Sequence, residues 1–241
     1  MEKPKRIEDL RIKLFGDGAA HKDIIEMAGI PYIKGFTTNP TLLQQAGVTN
    51  YAEFAKEILR EVTAKPISFE VFSDDLENME QEARIIAGWG KNVFVKIPVT
   101  NTKGESTSSL IKKLSHEGIS LNVTAILTQK QVAQVSSVLS VETPSIVSVF
   151  AGRIADTGVN PMPIMRESKE ILCSLPKAEL LWASCREVYN IYEAEEVGVD
   201  IITVPYSVLH KLGDIGKDLT EYSLDAVKAF YEAGKKAGLS I

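Results

Sequence analysis

A lysine stands in the middle of NVFVKIPVT (residues 92–100), where Val93, Phe94, Val95 and Ile97 read as a strand buried on both faces. Taking an ammonium out of water is costly. Lys96 must therefore reach water from a strand end, pair with a carboxylate, or give up its charge. The third choice makes a nucleophile, because a neutral amine adds to a ketone and forms a Schiff base. The protonated imine withdraws electrons, so the neighbouring carbon–carbon bond can break to an enamine without a metal. Such chemistry also needs a base for the substrate hydroxyl proton, an acid or water relay for dehydration, and amides to hold hydroxyls.

Side chains alternate across a strand, so polar residues can be sorted by phase. Lys96 shares a face with Phe94 and Pro98. In ISFEVF, Ser68 and Glu70 go together; in LNVTA, Asn122 and Thr124; in IVSVF, Ser148 and Phe150. In LWASCR, Trp182, Ser184 and Arg186 coincide if the extended backbone runs that far, and Asp17 is in phase with Phe15. Asp17 is then a candidate base, Glu70 with Thr124 a water-handling pair, and Asn39 with Asn122 the amides. Arg153 and Arg186 could hold a phosphate bidentately. Each residue also has a plainer account. Glu70 can be only the ion-pair partner of Lys96, and Asp17 in Gly-Asp-Gly an Asx turn. Asn39 before Pro40 suits a helix start. The arginines can be surface residues, and Thr124, Asn122, Ser148 and Ser184 ordinary core polar groups. Shared phase and location favour a site over these separate accounts. His21, His116 and His210 share no motif spacing, and no His/Cys/carboxylate cluster has metal-ligand spacing, which argues against a zinc-dependent reaction.

Eight strand-like segments would position these groups: Arg11–Phe15, Tyr32–Gly35, Ile67–Phe72, Val93–Ile97, Ser120–Val123, Ile146–Phe150, Glu179–Ala183 and Ile201–Val204. Helical patterns such as YAEFAKEILREV and LENMEQEARIIAGW lie between them. Ser106 and Thr128 stand where N-caps belong, Gly90 and Gly118 where C-caps belong. A βα alternation implies parallel strands, and eight units imply a closed TIM-type (β/α)8 barrel with the polar phases meeting at its C-terminal mouth. A doubly wound sheet usually has fewer strands and a Gly-rich phosphate loop, of which FGDGAAH is a poor version. The expectation is one barrel domain over residues 1–241, with a further helix over 219–238 available for oligomer contacts.

Composition narrows the class. Hydrophobic residues make up 44% and charged residues 24% of the 241, ordinary for a soluble globular protein with an ample core. A net charge of −5 gives no electrostatic reason to expect nucleic acid or an anionic membrane. Cys173 and Cys185 are the only cysteines, too few for a disulfide framework or a Cys-rich metal site. The charged MEKPKRIEDLR lacks the apolar core of a signal peptide, and no apolar run approaches the roughly 20 residues of a membrane span. A cytoplasmic protein is expected.

The chain resembles the transaldolases. KGFTTNPTLL looks like the family's strand-two segment and FVKIPVT like the strand carrying its Schiff-base lysine. LNVTAILT, SVFAGRIADTG and WASCREV resemble the segments of strands five, six and seven. Five short motifs in the right order, one per strand, are specific together. The resemblance implies a TIM-type barrel that moves a dihydroxyacetone unit from a ketose phosphate, sedoheptulose 7-phosphate or fructose 6-phosphate, to an aldose phosphate. It implies Lys96 as the Schiff-base residue, Asp17 as acid–base for carbon–carbon cleavage, and Glu70 and Thr124 as handlers of the catalytic water. Thr37, Asn39, Asn122, Ser148, Phe150 and Ser184 would meet the sugar, and Arg153 and Arg186 the phosphate. No cofactor is implied. Sugar phosphates are the implied partners, and a homo-oligomer the implied assembly.

Small members of the superfamily also include fructose-6-phosphate aldolases, which use free dihydroxyacetone. Their positions matching Glu70 and Phe150 look like Gln and Tyr. A tyrosine hydroxyl there can position water against the enamine or imine. Phe150 has no hydroxyl, so a bound enamine should survive until an aldehyde acceptor arrives, and transaldolase is the expected activity. Cys185 departs from the family pattern, which has Phe after the strand-seven serine. Two other readings stand beside this one. A pyridoxal-phosphate enzyme also uses a lysine imine, but no phosphate-loop and ring-nitrogen constellation is apparent. A non-catalytic sugar-phosphate-binding or assembly barrel would make Lys96 and Glu70 a structural pair.

Overall fold

Eight short runs rich in β-branched and aliphatic residues pair in chain order, and the last closes on the first. The structure is a computed structural model describing residues 4–239. Its strands are β1 (Lys13–Asp17), β2 (Ile33–Thr37), β3 (Ile67–Glu70), β4 (Val93–Pro98), β5 (Leu121–Ile126), β6 (Ser145–Val149), β7 (Ala178–Trp182) and β8 (Ile201–Pro205). All neighbours are parallel and the barrel is closed, as eight βα units require. Among the described residues eleven α-helices accompany them: α1 (His21–Ala28), α2 (Pro40–Gln45), α3 (Tyr51–Glu61), α4 (Leu76–Ala87), α5 (Ser108–His116), α6 (Gln129–Ser136), α7 (Ala151–Asp156), α8 (Pro161–Ile171), α9 (Tyr189–Val197), α10 (Tyr206–Leu209) and α11 (Leu219–Lys236).

Local chemistry sets most helix ends. Asn39 and Asn50 accept hydrogen bonds from backbone N–H groups at the starts of α2 and α3, and Thr128 with Gln131 forms a capping box on α6. Gly118, at φ +86°, follows α5 in the left-handed conformation that suits glycine there. Two expected caps move. Thr107, not Ser106, precedes α5; the Ser106 hydroxyl instead accepts from Ser108 N at 3.2 Å. Helix α4 stops at Gly88, two residues before Gly90.

Strand phase divides the apolar residues in two. Phe69, Val95, Ile97, Val123, Val147, Trp182 and Ile202 point outward and join the helices in the main core. Inside the barrel, Phe15, Ile146, Leu181, Ala183 and Ile201 form a separate cluster, with Phe94 packed against it. Gly35 makes room for that floor, since a Cβ there would lie 2.5 Å from the Phe15 ring. Toward the C-terminal ends of the strands the inward residues turn polar, and Thr37, Ser68, Lys96, Asn122, Thr124, Ser148 and Thr203 are all buried.

Most strand ends shift by one to three residues from expectation, and two of these shifts bear on the site. β1 continues past Phe15 to Asp17, because pairing with both Thr37 of β2 and Pro205 of β8 extends its ladder. β7 ends at Trp182, and Ser184 has φ +65°, so the alternation does not carry on to Ser184 and Arg186. A sharp turn brings them to the mouth instead. Helix α11 has no buried residue and leaves Tyr222, Leu224, Val227, Phe230 and Tyr231 exposed.

Candidate active site

The polar phases meet at the C-terminal mouth of the barrel around a cavity of about 470 Å³, a size suited to a small metabolite. All the residues singled out from the sequence line it except Asn122. Lys96 is 6% exposed. Its Nζ lies 3.0 Å from Glu70 Oε2 and donates to Thr38 O at 3.0 Å. The pair follows from register, since Glu70 on β3 is level with Lys96 on β4, which is level with Asn122 on β5. An ammonium so buried needs these partners. The ion pair foreseen as the plainer account is therefore present, inside the cavity rather than apart from it.

Glu70 is held from behind. Its backbone N–H donates to the Tyr51 hydroxyl at 2.8 Å, reaching across from α3. Burial pushes the Tyr51 phenol well above its ordinary pKa, so it stays neutral. Its ring is packed edge-on against Phe69, Phe72 and Trp89.

Asp17 occupies the opposite side of the mouth. Thr37 Oγ1 donates to its Oδ1 at 2.7 Å, and Thr37 Oγ1 lies 2.5 Å from Thr203 Oγ1 on β8. Burial raises the Asp17 pKa above the ordinary carboxylate range; the Lys96 ammonium and the Thr37 hydroxyl pull it down, and Glu70 pushes it up. A carboxyl raised in this way lies nearer neutrality, where an acid–base group is most useful.

Thr124 and Ala125 sit at an irregularity between β5 and β6, where the register slips between Val123 and Ile126. Ala125 takes φ +60°, as the extra residue of a bulge often does. Thr124 Oγ1 is buried and makes no hydrogen bond among the described residues, which leaves it free for a ligand. Asn122 lies beneath the wall rather than on it. It accepts from Ser148 Oγ at 2.6 Å and donates to Ser68 Oγ at 2.9 Å, so its direct work is to hold Ser148. Asn39 spends its Oδ1 capping α2, on Leu42 N at 3.0 Å, and also lines the cavity. The helix-start account and the site account hold together there.

The outer rim comes from α7 and the turn after β7. Arg153 lies over the Phe150 ring, 5.3 Å from its centroid, while Arg186 is bound to Asp156. Both arginines are exposed at the cavity edge. The turn is pressed against α7, since a Cβ on Gly152 would fall 1.7 Å from Ser184 O. Ala125 and Ser184 are the two non-glycine residues with positive φ among the described residues, and both line the cavity. Strain of this kind collects at sites that the surrounding structure over-determines. Cys185 is buried beside them, and burial pushes its thiol up to about 12.

Sequence reasoning missed Thr38, Tyr51 and Thr203. Thr38 acts through its carbonyl and Tyr51 on a backbone N–H, neither of which a residue type reveals. Thr203 was detectable: it has the inward phase of Ile201 in β8. Among the described residues, no group of three or more His, Cys, Asp or Glu could hold a metal ion, and no helix is long and apolar enough to cross a membrane.

Known proteins resemble the chain over most of its length. The sequence pattern of the family described as Transaldolase/Fructose-6-phosphate aldolase matches residues 14–241. A "Probable transaldolase" of Thermoanaerobacter sp. is 35% identical over 236 residues, covering 95% of this chain and all of that one. Another from Sulfurihydrogenibium sp. is 36% identical, covering 85% and 93%. A third, from Thermoplasma volcanium, is 37% identical, covering 83% and 87%. With a family match over residues 14–241, and relatives 35–37% identical over most of both chains, this chain belongs to the transaldolase/fructose-6-phosphate aldolase family.

Proposed function

We propose that the protein is a transaldolase that carries a dihydroxyacetone unit from a ketose phosphate to an aldose phosphate on Lys96. The observation that carries this reading is the Lys96–Glu70 pair, 3.0 Å apart inside a cavity that also holds Asp17. Loss of a proton leaves Lys96 a free amine, which adds to the ketone carbon of the donor. The carbinolamine expels its hydroxyl as water, with Glu70 and the unpaired Thr124 hydroxyl handling the proton and the water. In the protonated imine, Asp17 takes the proton of the substrate's C4 hydroxyl. The C3–C4 bond breaks, its electron pair moves into the enamine, and the aldehyde fragment leaves. An acceptor aldehyde then reverses these steps, and Asp17 returns a proton to the new hydroxyl.

The rest of the wall suits the same substrate class. Thr37, Asn39, Ser148 and Ser184 offer hydroxyls and an amide to a polyol, with Asn122 behind Ser148. Arg153 and Arg186 at the rim suit a terminal phosphate. Phe150 presents a ring and no hydroxyl, so no donor there activates water against the enamine. The exposed apolar side chains of α11 are the surface through which copies of the chain associate as a homo-oligomer. The enzyme needs no cofactor for this chemistry and works in the cytoplasm.

The test is glyceraldehyde 3-phosphate release from fructose 6-phosphate, with and without erythrose 4-phosphate. Release that depends on the acceptor is expected. Equal release without it would make the protein an aldolase, and no release in either arm would refute this donor.

A further inference from the structure

Thr203 lies on β8, on the far side of β1 from Thr37, and all the substrate roles above leave it out. The residue is 4% exposed, shares the inward phase of Ile201, and lines the same cavity as Asp17. Register makes the contact. Phe15 of β1 is level with Thr203, and Asp17, one inward step further, is level with Thr37. The three polar side chains form a chain of contacts, with 2.7 Å from Thr37 Oγ1 to Asp17 Oδ1 and 2.5 Å from Thr37 Oγ1 to Thr203 Oγ1.

Proton counting gives this chain a direction. A hydroxyl has one proton to donate, and an ionised carboxylate can only accept. Thr37 must point its proton at Asp17, so the proton between the two threonines belongs to Thr203. Successive donors polarise one another, and the last becomes the stronger donor. Without Thr203 the buried Thr37 oxygen loses its incoming donor, and its own bond to Asp17 is no longer fixed in direction.

We propose that Thr203 is a positioning residue, which holds the Thr37 hydroxyl aimed at Asp17 and so keeps that carboxylate ionised for its work as a base. The proposal rests on the reading of Asp17 as the acid–base group. Burial drives the Asp17 carboxyl up, and hydrogen bonding to Thr37 is one of the opposing influences, so a two-hydroxyl chain has a physical task there. The charged and titratable groups near Asp17 are the Lys96 ammonium on β4, the Glu70 carboxylate on β3 and the Cys185 thiol after β7. Arg153 on α7 and Arg186 beyond β7 stand at the rim of the cavity. Among the described residues, the polar side chains that β2 and β8 bring to it are the hydroxyls of Thr37 and Thr203.

Thr203→Val keeps the shape and removes the donor, while Thr203→Ser restores the donor. The Asp17 carboxyl can be titrated directly by its carbon-13 resonance in the full-length protein, with no turnover needed. In the Val variant its midpoint should rise by about half a unit to one unit, the worth of the one hydrogen bond between neutral hydroxyls that is lost. The acid limb of the kcat/KM profile should move up by the same amount with KM little changed, and Ser should return both to the wild-type position. Thr203→Ala lacks the hydroxyl and cannot overpack, so it must show the same displacement if the Val variant does not fold. Wild-type titration in a folded variant without the hydroxyl would overturn the proposal, as would a Ser variant that restores nothing. A wild-type protein without carbon–carbon cleavage would instead refute the proposed function, and the carboxyl titration would still decide the role of Thr203.

Discussion

Gly152→Ala is a one-methyl test of how α7 is seated on the turn after β7. The added Cβ would lie 1.7 Å from Ser184 O and 2.7 Å from Ser184 C, whereas separations under 3.0 Å essentially do not occur for real Cβ atoms. At least about 1.3 Å must therefore be found, and the obstacle is main chain rather than a movable side-chain tip. Ser184 has little freedom to give, since it already holds φ +65°. Nor can α7 simply lift away, because Gly152 N donates to Ala183 O at 3.3 Å. Alanine gains up to about 1 kcal/mol over glycine as a helix former. Overpacking against backbone costs about 3 kcal/mol at the upper end of its usual range, so the net loss is about 2 kcal/mol. For a chain of this size that lowers the melting temperature by roughly 4–8 °C. The same displacement carries Ser184 and Arg186 out of place by an amount that can reduce turnover about 100-fold. Scanning calorimetry and steady-state kinetics on one preparation read both effects. A melting temperature within about one degree of wild type, together with unchanged KM and kcat, would refute the close seating of α7 on this turn.

Three further outcomes are expected. Borohydride with fructose 6-phosphate should fix a three-carbon unit on Lys96 and on no other residue, and Lys96→Met should abolish it; peptide mass spectrometry showing label elsewhere would contradict the assignment. Asp17→Asn should remove turnover and raise thermal stability near neutral pH. The sign follows from linkage: a carboxyl whose folded pKa is raised binds protons more tightly in the folded state, so it costs stability as pH rises from its unfolded pKa through its folded one. The stabilisation should vanish near pH 4, about the ordinary carboxylate pKa, and an Asn variant less stable than wild type at neutral pH would contradict a raised Asp17. Val227→Glu with Phe230→Glu on α11 should reduce the assembled mass seen by sedimentation; an unchanged mass would place the subunit contacts elsewhere.

The barrel was legible because its signals are local and repeated. Val, Ile and Leu runs of strand length, separated by helical patterns, leave few architectures open. Lys96, Glu70 and Thr124 were placed by parity alone, since each lies within a strand whose alternation holds up to that residue. Parity failed where the backbone leaves the extended region. Ser184 and Arg186 reach the mouth through a left-handed turn at a non-glycine residue, which composition does not announce. The bulge at Ala125 is hidden for the same reason, and it returns Ile126 to the outer core. Asn122 shows a different limit: phase places a residue inward but does not say whether its neighbours cover it. Tyr51 shows another, for its hydroxyl meets a backbone N–H from 19 residues away.

The apolar floor of Phe15, Phe94, Ile146, Leu181 and Ile201 separates two jobs that a smaller protein would have to combine. Phe15, Phe94, Ile146 and Ile201 stay off the cavity surface, whereas Leu181 and Ala183 line it beside Lys96. Substitutions among the polar wall residues can then alter what the cavity binds while the apolar cluster keeps the strands in register. Such a division lets a lineage change specificity by small steps without first losing its fold. It also predicts where neutral drift is least tolerated: exchanging Ile146 or Ile201 for a polar residue would harm every descendant alike, whatever ligand each had come to use.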